Sequence, residues 1–277
     1  FNQAKYNEYM VNKDNVANYD KIRQKIFESR ESRVHPQKDD KILTDWNGLM
    51  ISALSRAGII LDEKKYILAA KASTAFIVTN LIDSDGGLFK GFRNGRIDVK
   101  GMVEDYAFFI WGLIELYQAT LETKYIQLAK DLSDYQIKYF WDKENKGFFF
   151  TSDLEETLFV RSKEVYDGAI PSGNSVSALN FIRLGRILSK YEYDEICYEI
   201  LDTFSSKLNR YVTGSSYMLQ AINYIEGPSY EIIIKGDIDK NLSLIRKIQK
   251  HPQPNKVIIY NNDKNINFNF LEKYKSG

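Results

Sequence analysis

Short polar clusters alternate with long apolar runs along most of this chain. Asp40 to Asn47 precedes the run Gly48 to Leu54. Glu104-Asp105-Tyr106 precedes Ala107 to Ile114. Asp167, with Pro171-Ser172-Gly173-Asn174, precedes Val176 to Leu188. Each cluster reads as a helix start, because Asp, Ser and Asn side chains can accept the free N–H groups of a first turn. The helix predicted from Tyr106 to Tyr117 is apolar on nearly every side, and such a helix is buried all round. The one that follows, Glu122 to Phe140, gathers Tyr125, Leu128, Ala129, Leu132 and Tyr139 on one stripe, with charges elsewhere. Such a helix covers the outside of a core.

This pairing recurs at an offset of about 60 residues. Trp46-Asn47-Gly48 opens one helix, a second runs from Glu63 to Ile82, and Gly87-Leu88-Phe89 closes the unit. Tyr106 opens the next, Glu122 to Phe140 follows, and Gly147-Phe148-Phe149 closes it. Tyr66-Ile67 with Ala70 matches Tyr125-Ile126 with Ala129, and Tyr193 with Ile196-Cys197 matches them in a third unit from Ser172 to Arg210. Buried first helices inside amphipathic second helices predict a mainly α fold, an (α/α)6-toroid-like array of hairpins, here incomplete. The Gly-aromatic segments predict small β-hairpin loops: Asn94-Gly95 is a turn signal within 87–100, and Phe148 to Val160 forms another ribbon with its turn at Asp153.

The ends differ from this middle. Residues 1–17 are polar with little pattern and read as a flexible lead or the remnant of a preceding element. A helix is expected from Tyr19 to Arg33, ending before His35-Pro36 because a residue ahead of proline is pushed out of helical dihedrals. A last toroid helix is expected from Ser215 to Tyr224. After Gly227-Pro228 the pattern becomes strand (Tyr230 to Lys235), helix (Ile238 to Gln249), strand (Lys256 to Tyr260), a C-terminal β-α-β appendage with parallel strands. The expected division is a toroid over 1–227 and a small appendage over 228–277, packed on the toroid, with a mobile Asn- and Lys-rich tail from Asn261.

With 277 residues, 44% hydrophobic and 27% charged, the chain is long and apolar enough for a sizeable core. A net charge of +1 without a basic block argues against nucleic acid and anionic membrane as partners. Cys197 is the only cysteine, so no internal disulfide forms, and a reducing, cytoplasmic setting is expected. No apolar run approaches the ~18 residues that span a bilayer. No secretory signal opens the chain. It begins at Phe1 without Met, which suggests a piece of a longer protein.

Asp39-Asp40-Lys41-Ile42-Leu43-Thr44-Asp45-Trp46-Asn47-Gly48-Leu49-Met50, Glu104-Asp105-Tyr106-Ala107 and Asp167-Gly168-Ala169-Ile170-Pro171-Ser172-Gly173-Asn174-Ser175 resemble the spermatogenesis-associated protein 20 family. Its bacterial and archaeal members are often described as thioredoxin-domain proteins. Tyr230 to Asp237 and Pro254 to Ile259 resemble its C-terminal segment, so the likeness covers roughly residues 30–260. It implies a thioredoxin-like domain followed by a six-hairpin toroid related in fold to sugar epimerases and glycosidases. The thioredoxin-like part lies outside this chain and would be a partner domain. About four helical pairs are legible here, and Asp45 stands where the family pattern usually has Ser.

Three helix starts on one rim would gather carboxylates and amides in one place. Asp40, Asp105 and Asp167, with Glu104, are the candidate acids and bases for a saccharide. Trp46 would stack on it, and Asn47, Tyr106, Ser172 and Asn174 would hydrogen-bond to it. Each has a plainer reading. Asp45 and Thr44 can cap a helix, Glu104 and Asp105 suit the dipole of a helix start, Tyr106 can pack, and Pro171 to Ser175 can be a capping loop. Arg161, Lys163 and Glu164 read as a solvated ribbon face. His35 and His251 are the only histidines, too few and too far apart for an epimerase that uses a histidine pair. No spacing suggests zinc or a calcium loop, and no cofactor is implied. Cys197 reads as a small core residue. The readings left open are a carbohydrate-active domain, a non-catalytic scaffold or binding module for the thioredoxin-like domain, and a sugar epimerase.

Overall fold

In the computed structural model, residues 2–97, 99–154, 159–236 and 238–261 are described. They fall into two compact units, Phe1–Asp40 and Lys41–Gly277. The first holds α1 (Gln3–Val11) and α2 (Lys13–Glu31). The polar lead is therefore helical, and the helix expected from Tyr19 already begins at Lys13. The asparagines that made the lead look patternless are caps. Asn2 accepts the N–H of Lys5 at 3.0 Å and Asn12 that of Asp14 at 2.9 Å, each quieting a donor that a first turn leaves unpaired. Tyr6 meets Tyr19 edge-on, with ring centroids 6.4 Å apart.

The second unit is built from hairpins. α3 (Thr44–Ile60) pairs with α4 (Lys64–Asn80), α5 (Val103–Thr120) with α6 (Thr123–Phe140), and α7 (Gly173–Leu188) with α8 (Tyr191–Arg210); a 3-10 turn at Val212–Ser215 leads to α9 (Met218–Glu226). Among the described residues, these three hairpins, the α1–α2 pair and α9 answer to the roughly four helical pairs that the sequence suggested. α3, α5 and α7 run parallel as an inner layer. A Cβ on Gly48 would lie 2.5 Å from the Phe108 backbone, and one on Gly112 would lie 2.7 Å from the Gly48 carbonyl oxygen, so α3 and α5 touch backbone to backbone. Asn180 of α7 donates to the Ala107 carbonyl of α5 at 2.7 Å. Phe108, Phe109, Phe181 and Ile51 are fully buried between these helices, while Tyr125, Ala129, Tyr193 and Cys197 fasten the outer helices onto them. Burial raises the Cys197 thiol to about 12, so it is a packed, unreactive core group as its place in the repeat suggested.

The predicted ribbon within 87–100 is real. β1 (Ile42–Leu43), β2 (Gly91–Arg93) and β3 (Arg96–Ile97) form an antiparallel sheet with Leu43 opposite Gly91 and Phe92 opposite Ile97. Asn94 and Gly95 turn it with φ of 51° and 74°, the left-handed pair a tight hairpin needs. The second ribbon, at Phe148 to Val160, is reduced among the described residues to a Trp141–Phe148 bridge and a hydrogen bond from the Phe150 N–H to the Ser162 carbonyl. Most of its proposed turn, 155–158, lies outside the described residues.

β4 (Tyr230–Lys235) and β5 (Lys256–Asn261) pair in parallel around α10 (Ile238–Lys250), as the pattern predicted. The same compact unit holds these elements and the hairpins. Ile258 and Tyr260 pack on Leu121, at the end of α5. The tail beyond Asn261, expected to be mobile, lies outside the described residues. Among the described residues, no helix is long and apolar enough to cross a membrane.

Candidate functional site

The first turns of α3, α5 and α7 lie side by side. The N–H of Asp45 donates to Asp105 Oδ1 at 3.1 Å, and a Cβ on Gly173 would sit 2.7 Å from Val103 and 3.4 Å from the Glu104 side chain. Parallel inner helices bring like ends together, so positions far apart in sequence become neighbours on one rim.

At its centre two buried aspartates meet a half-buried lysine. Lys90, just before β2, donates to Asp45 Oδ2 at 3.0 Å and reaches Asp105 Oδ2 at 3.5 Å. Asp105 also accepts the Met102 N–H at 2.7 Å, closing the first turn of its own helix. Burial pushes the Asp105 carboxyl up to about 7, and Asp45 adds to this, against the pull of Lys90 and two backbone N–H groups. Lys90 itself is held above its ordinary value, with burial opposing the two aspartates. Sequence reading missed Lys90, because nothing in its neighbourhood separates it from any other ribbon lysine.

Glu104 stands beside this triad, half-buried. Burial raises its carboxyl first, then Glu164 and Asp45 raise it further while Lys90 lowers it. Glu164 is exposed, and its carbonyl accepts from Asn174 at 2.8 Å. Trp46 follows Asp45 and is 62% exposed. Glu104, Glu164 and Trp46 are thus the groups of the rim whose side chains take no part in its hydrogen-bonded framework among the described residues.

The other candidates are absorbed into that framework. Asp167 accepts the N–H of Ser172 at 2.9 Å and that of Tyr217 at 2.7 Å, joining the start of α7 to that of α9. Asn174 accepts the Phe148 N–H at 2.8 Å and donates to the Phe148 carbonyl at 2.9 Å. Ser172 accepts the Ser175 N–H at 3.2 Å, the cap its sequence suggested. Asn47 donates to Leu43 and accepts from Ser73. Tyr106 is buried, accepts the Leu88 N–H at 2.8 Å and stacks on Tyr135. Asp40 belongs to the N-terminal unit and is exposed there. Arg161 and Lys163, read as a solvated face, are instead tied down. Arg161 lies 4.1 Å over Phe149, and Lys163 pairs with Asp142 at 2.6 Å. Among the described residues, no group of three or more His, Cys, Asp or Glu could hold a metal.

No protein-family model matches the chain. Spermatogenesis-associated protein 20 of Rattus norvegicus is 32% identical over 248 residues, which are 85% of this chain and 31% of that protein. The chain therefore spans about a third of the length of that relative. An α-mannanase of glycoside hydrolase family 76 from Bacteroides thetaiotaomicron superposes with a TM-score of 0.54 at 13% identity, over 78% of this chain and 59% of its own. Cellobiose 2-epimerase from Bacillus thermoamylovorans gives 0.50 at 18% identity, over 61% of this chain and 46% of its own. At such identities the likeness carries the fold and nothing finer. The motifs at Trp46, Glu104 and Asp167 and the hairpins they open agree with these findings: the chain is a homologue of the spermatogenesis-associated protein 20 proteins, folded as an incomplete α/α-hairpin array of the toroid type.

Proposed function

We propose that the rim at the starts of α3, α5 and α7 binds a saccharide, and that Glu104 is the group that exchanges a proton with it. The state of Glu104 supports this most directly. It is half-buried, its carboxyl is raised, and a second carboxylate, Glu164, is close enough to raise it further. A carboxyl raised by burial, with a second and exposed carboxylate beside it, is the kind of pair that acid–base chemistry on a glycosidic bond uses. Trp46 offers the exposed ring on which a sugar face stacks. The α-mannanase and the epimerase share the fold and are named for work on sugars, which adds to the reading. A histidine-pair epimerase is disfavoured, since His35 and His251 are the chain's only histidines and neither lies at the starts of α3, α5 and α7 in sequence.

The framework duties of Asp105, Asp167, Asn174 and Tyr106 favour a second reading: a rim that binds without chemistry, serving a thioredoxin-like domain of the kind the family resemblance implies. One experiment separates the two. A panel of mono- and oligosaccharides is screened by thermal shift, and the binders are followed for turnover in the wild type and in Glu104→Gln. Acid–base chemistry predicts turnover reduced at least about 100-fold with binding kept within a few-fold. Binding without turnover in the wild type supports the module. If no saccharide shifts the unfolding temperature, the saccharide reading of the rim fails and the module serving another domain is the one left.

A further inference from the structure

A cavity of about 530 Å³ lies at the other end of the inner helices, between their C-terminal halves and the segment 249–258 that leads into β5. Its wall is the opposite of the rim in charge. Arg56 of α3 and Arg183 of α7 line it, and Glu115 of α5 is the acidic residue among its lining groups. That carboxylate is already matched: Arg183 Nη1 donates to Glu115 Oε1 at 2.7 Å. Arg56 is exposed and makes no ion pair among the described residues. A net positive charge is left facing the hollow.

Two further features give the hollow the makings of a site. Trp111 and Tyr217 meet edge to face, with centroids 5.0 Å apart, and form an aromatic corner in the wall. Tyr224 is buried at 2% exposure, yet its hydroxyl has no hydrogen-bond partner. A buried hydroxyl is destabilising unless something meets it, and Tyr224 lines the same cavity. A cavity of this size lies in the range that holds small ligands.

We infer that this cavity binds a small ring-bearing anion, a phosphorylated or carboxylated monosaccharide, with its charge at Arg56, its ring against the Trp111–Tyr217 corner and a hydroxyl on Tyr224. The cavity meets the rim at Tyr217, whose ring lines it while its N–H is held by Asp167; Glu104, Glu164 and Trp46 are not among its lining residues. Four probes test it by titration calorimetry on the protein as it stands: glucose 6-phosphate, glucuronate, neutral glucose and inorganic phosphate. Glucose 6-phosphate or glucuronate binds at least tenfold more tightly than glucose and more tightly than phosphate alone. Arg56→Gln, at an exposed position, weakens that binding about tenfold or more, and Tyr224→Phe weakens it a few-fold. Glu104→Gln leaves it unchanged. The inference is overturned if neither sugar anion binds, if glucose binds equally well, if Arg56→Gln has no effect, or if Glu104→Gln abolishes binding and so places the anion at the rim.

Discussion

Asp105 holds three elements together with one carboxylate. It closes the first turn of α5 through the Met102 N–H, takes the Asp45 N–H at the start of α3, and reaches Lys90 ahead of β2. Burial raises its carboxyl to about 7, against an ordinary value near 3.9. The folded chain therefore holds a proton that the unfolded chain has lost between about pH 4 and pH 7. Stability from this group is complete below pH 4 and lost as the pH rises through 7. Lys90 stays cationic across this window, because its own affinity for a proton is raised. Asp105→Asn removes the titration. Urea unfolding at pH 4, 5.5, 7 and 8 is expected to show the wild type losing stability relative to the variant up to about pH 7 and no further. A difference that stays constant across the series would mean the carboxyl is ionised throughout.

At the scale of elements, the α3–α5 contact matters most, because it sets how near the two helix starts come. Gly48 and Gly112 let the backbones meet, and a side chain at Gly48 has only main chain to push against. Gly48→Ala is expected to cost about 1–3 kcal/mol, the toll of overfilling a packed interface, read as a lower urea midpoint with an unchanged m-value. Helices of this kind were legible in the sequence because their periodicity is coarse. An all-apolar run such as Ala107 to Ile114 can only be buried, and an amphipathic one such as Glu122 to Phe140 can only cover it. The helix starts were legible for the same reason, since Asp, Ser and Asn cluster where first turns need acceptors. The same cue misled at the site. A residue that caps and a residue that binds a sugar look alike in sequence, and Asp167, Ser172 and Asn174 cap or pin. Lys90 was invisible because its partners come from two helices that only the fold brings together. Of the two readings of the polar lead, the flexible one failed because asparagine marks both irregular chain and helix caps, and Asn2 and Asn12 do the latter.

At the scale of the second compact unit, two parallel strands and one helix make too little buried surface to stand by themselves, so β4, α10 and β5 depend on what they dock against. The dock is Gln118, near the end of α5. Its side-chain amide donates to the Ile258 carbonyl at 3.0 Å and accepts the Ile258 N–H at 2.8 Å, as a neighbouring strand would. Tyr117 adds its hydroxyl to the Tyr260 N–H at 3.0 Å, and Gln249 caps the Gln118 carbonyl at 2.7 Å. Gln118→Ala keeps the helix, since alanine favours it, but leaves both polar groups of buried Ile258 without their partner, at about 1–3 kcal/mol for each group. The cost falls first on the docking of β5, which joins the core of the hairpins through Val257, and less on the hairpins themselves. Amide hydrogen exchange read by mass spectrometry is therefore expected to quicken in 230–261 while peptides from α5 and α7 keep their protection, a local opening below the global one. Equal quickening in α5 and α7 would mean that the strands and the hairpins unfold only together, and that the wall of the Arg56–Arg183 cavity cannot open without losing the helices that frame it.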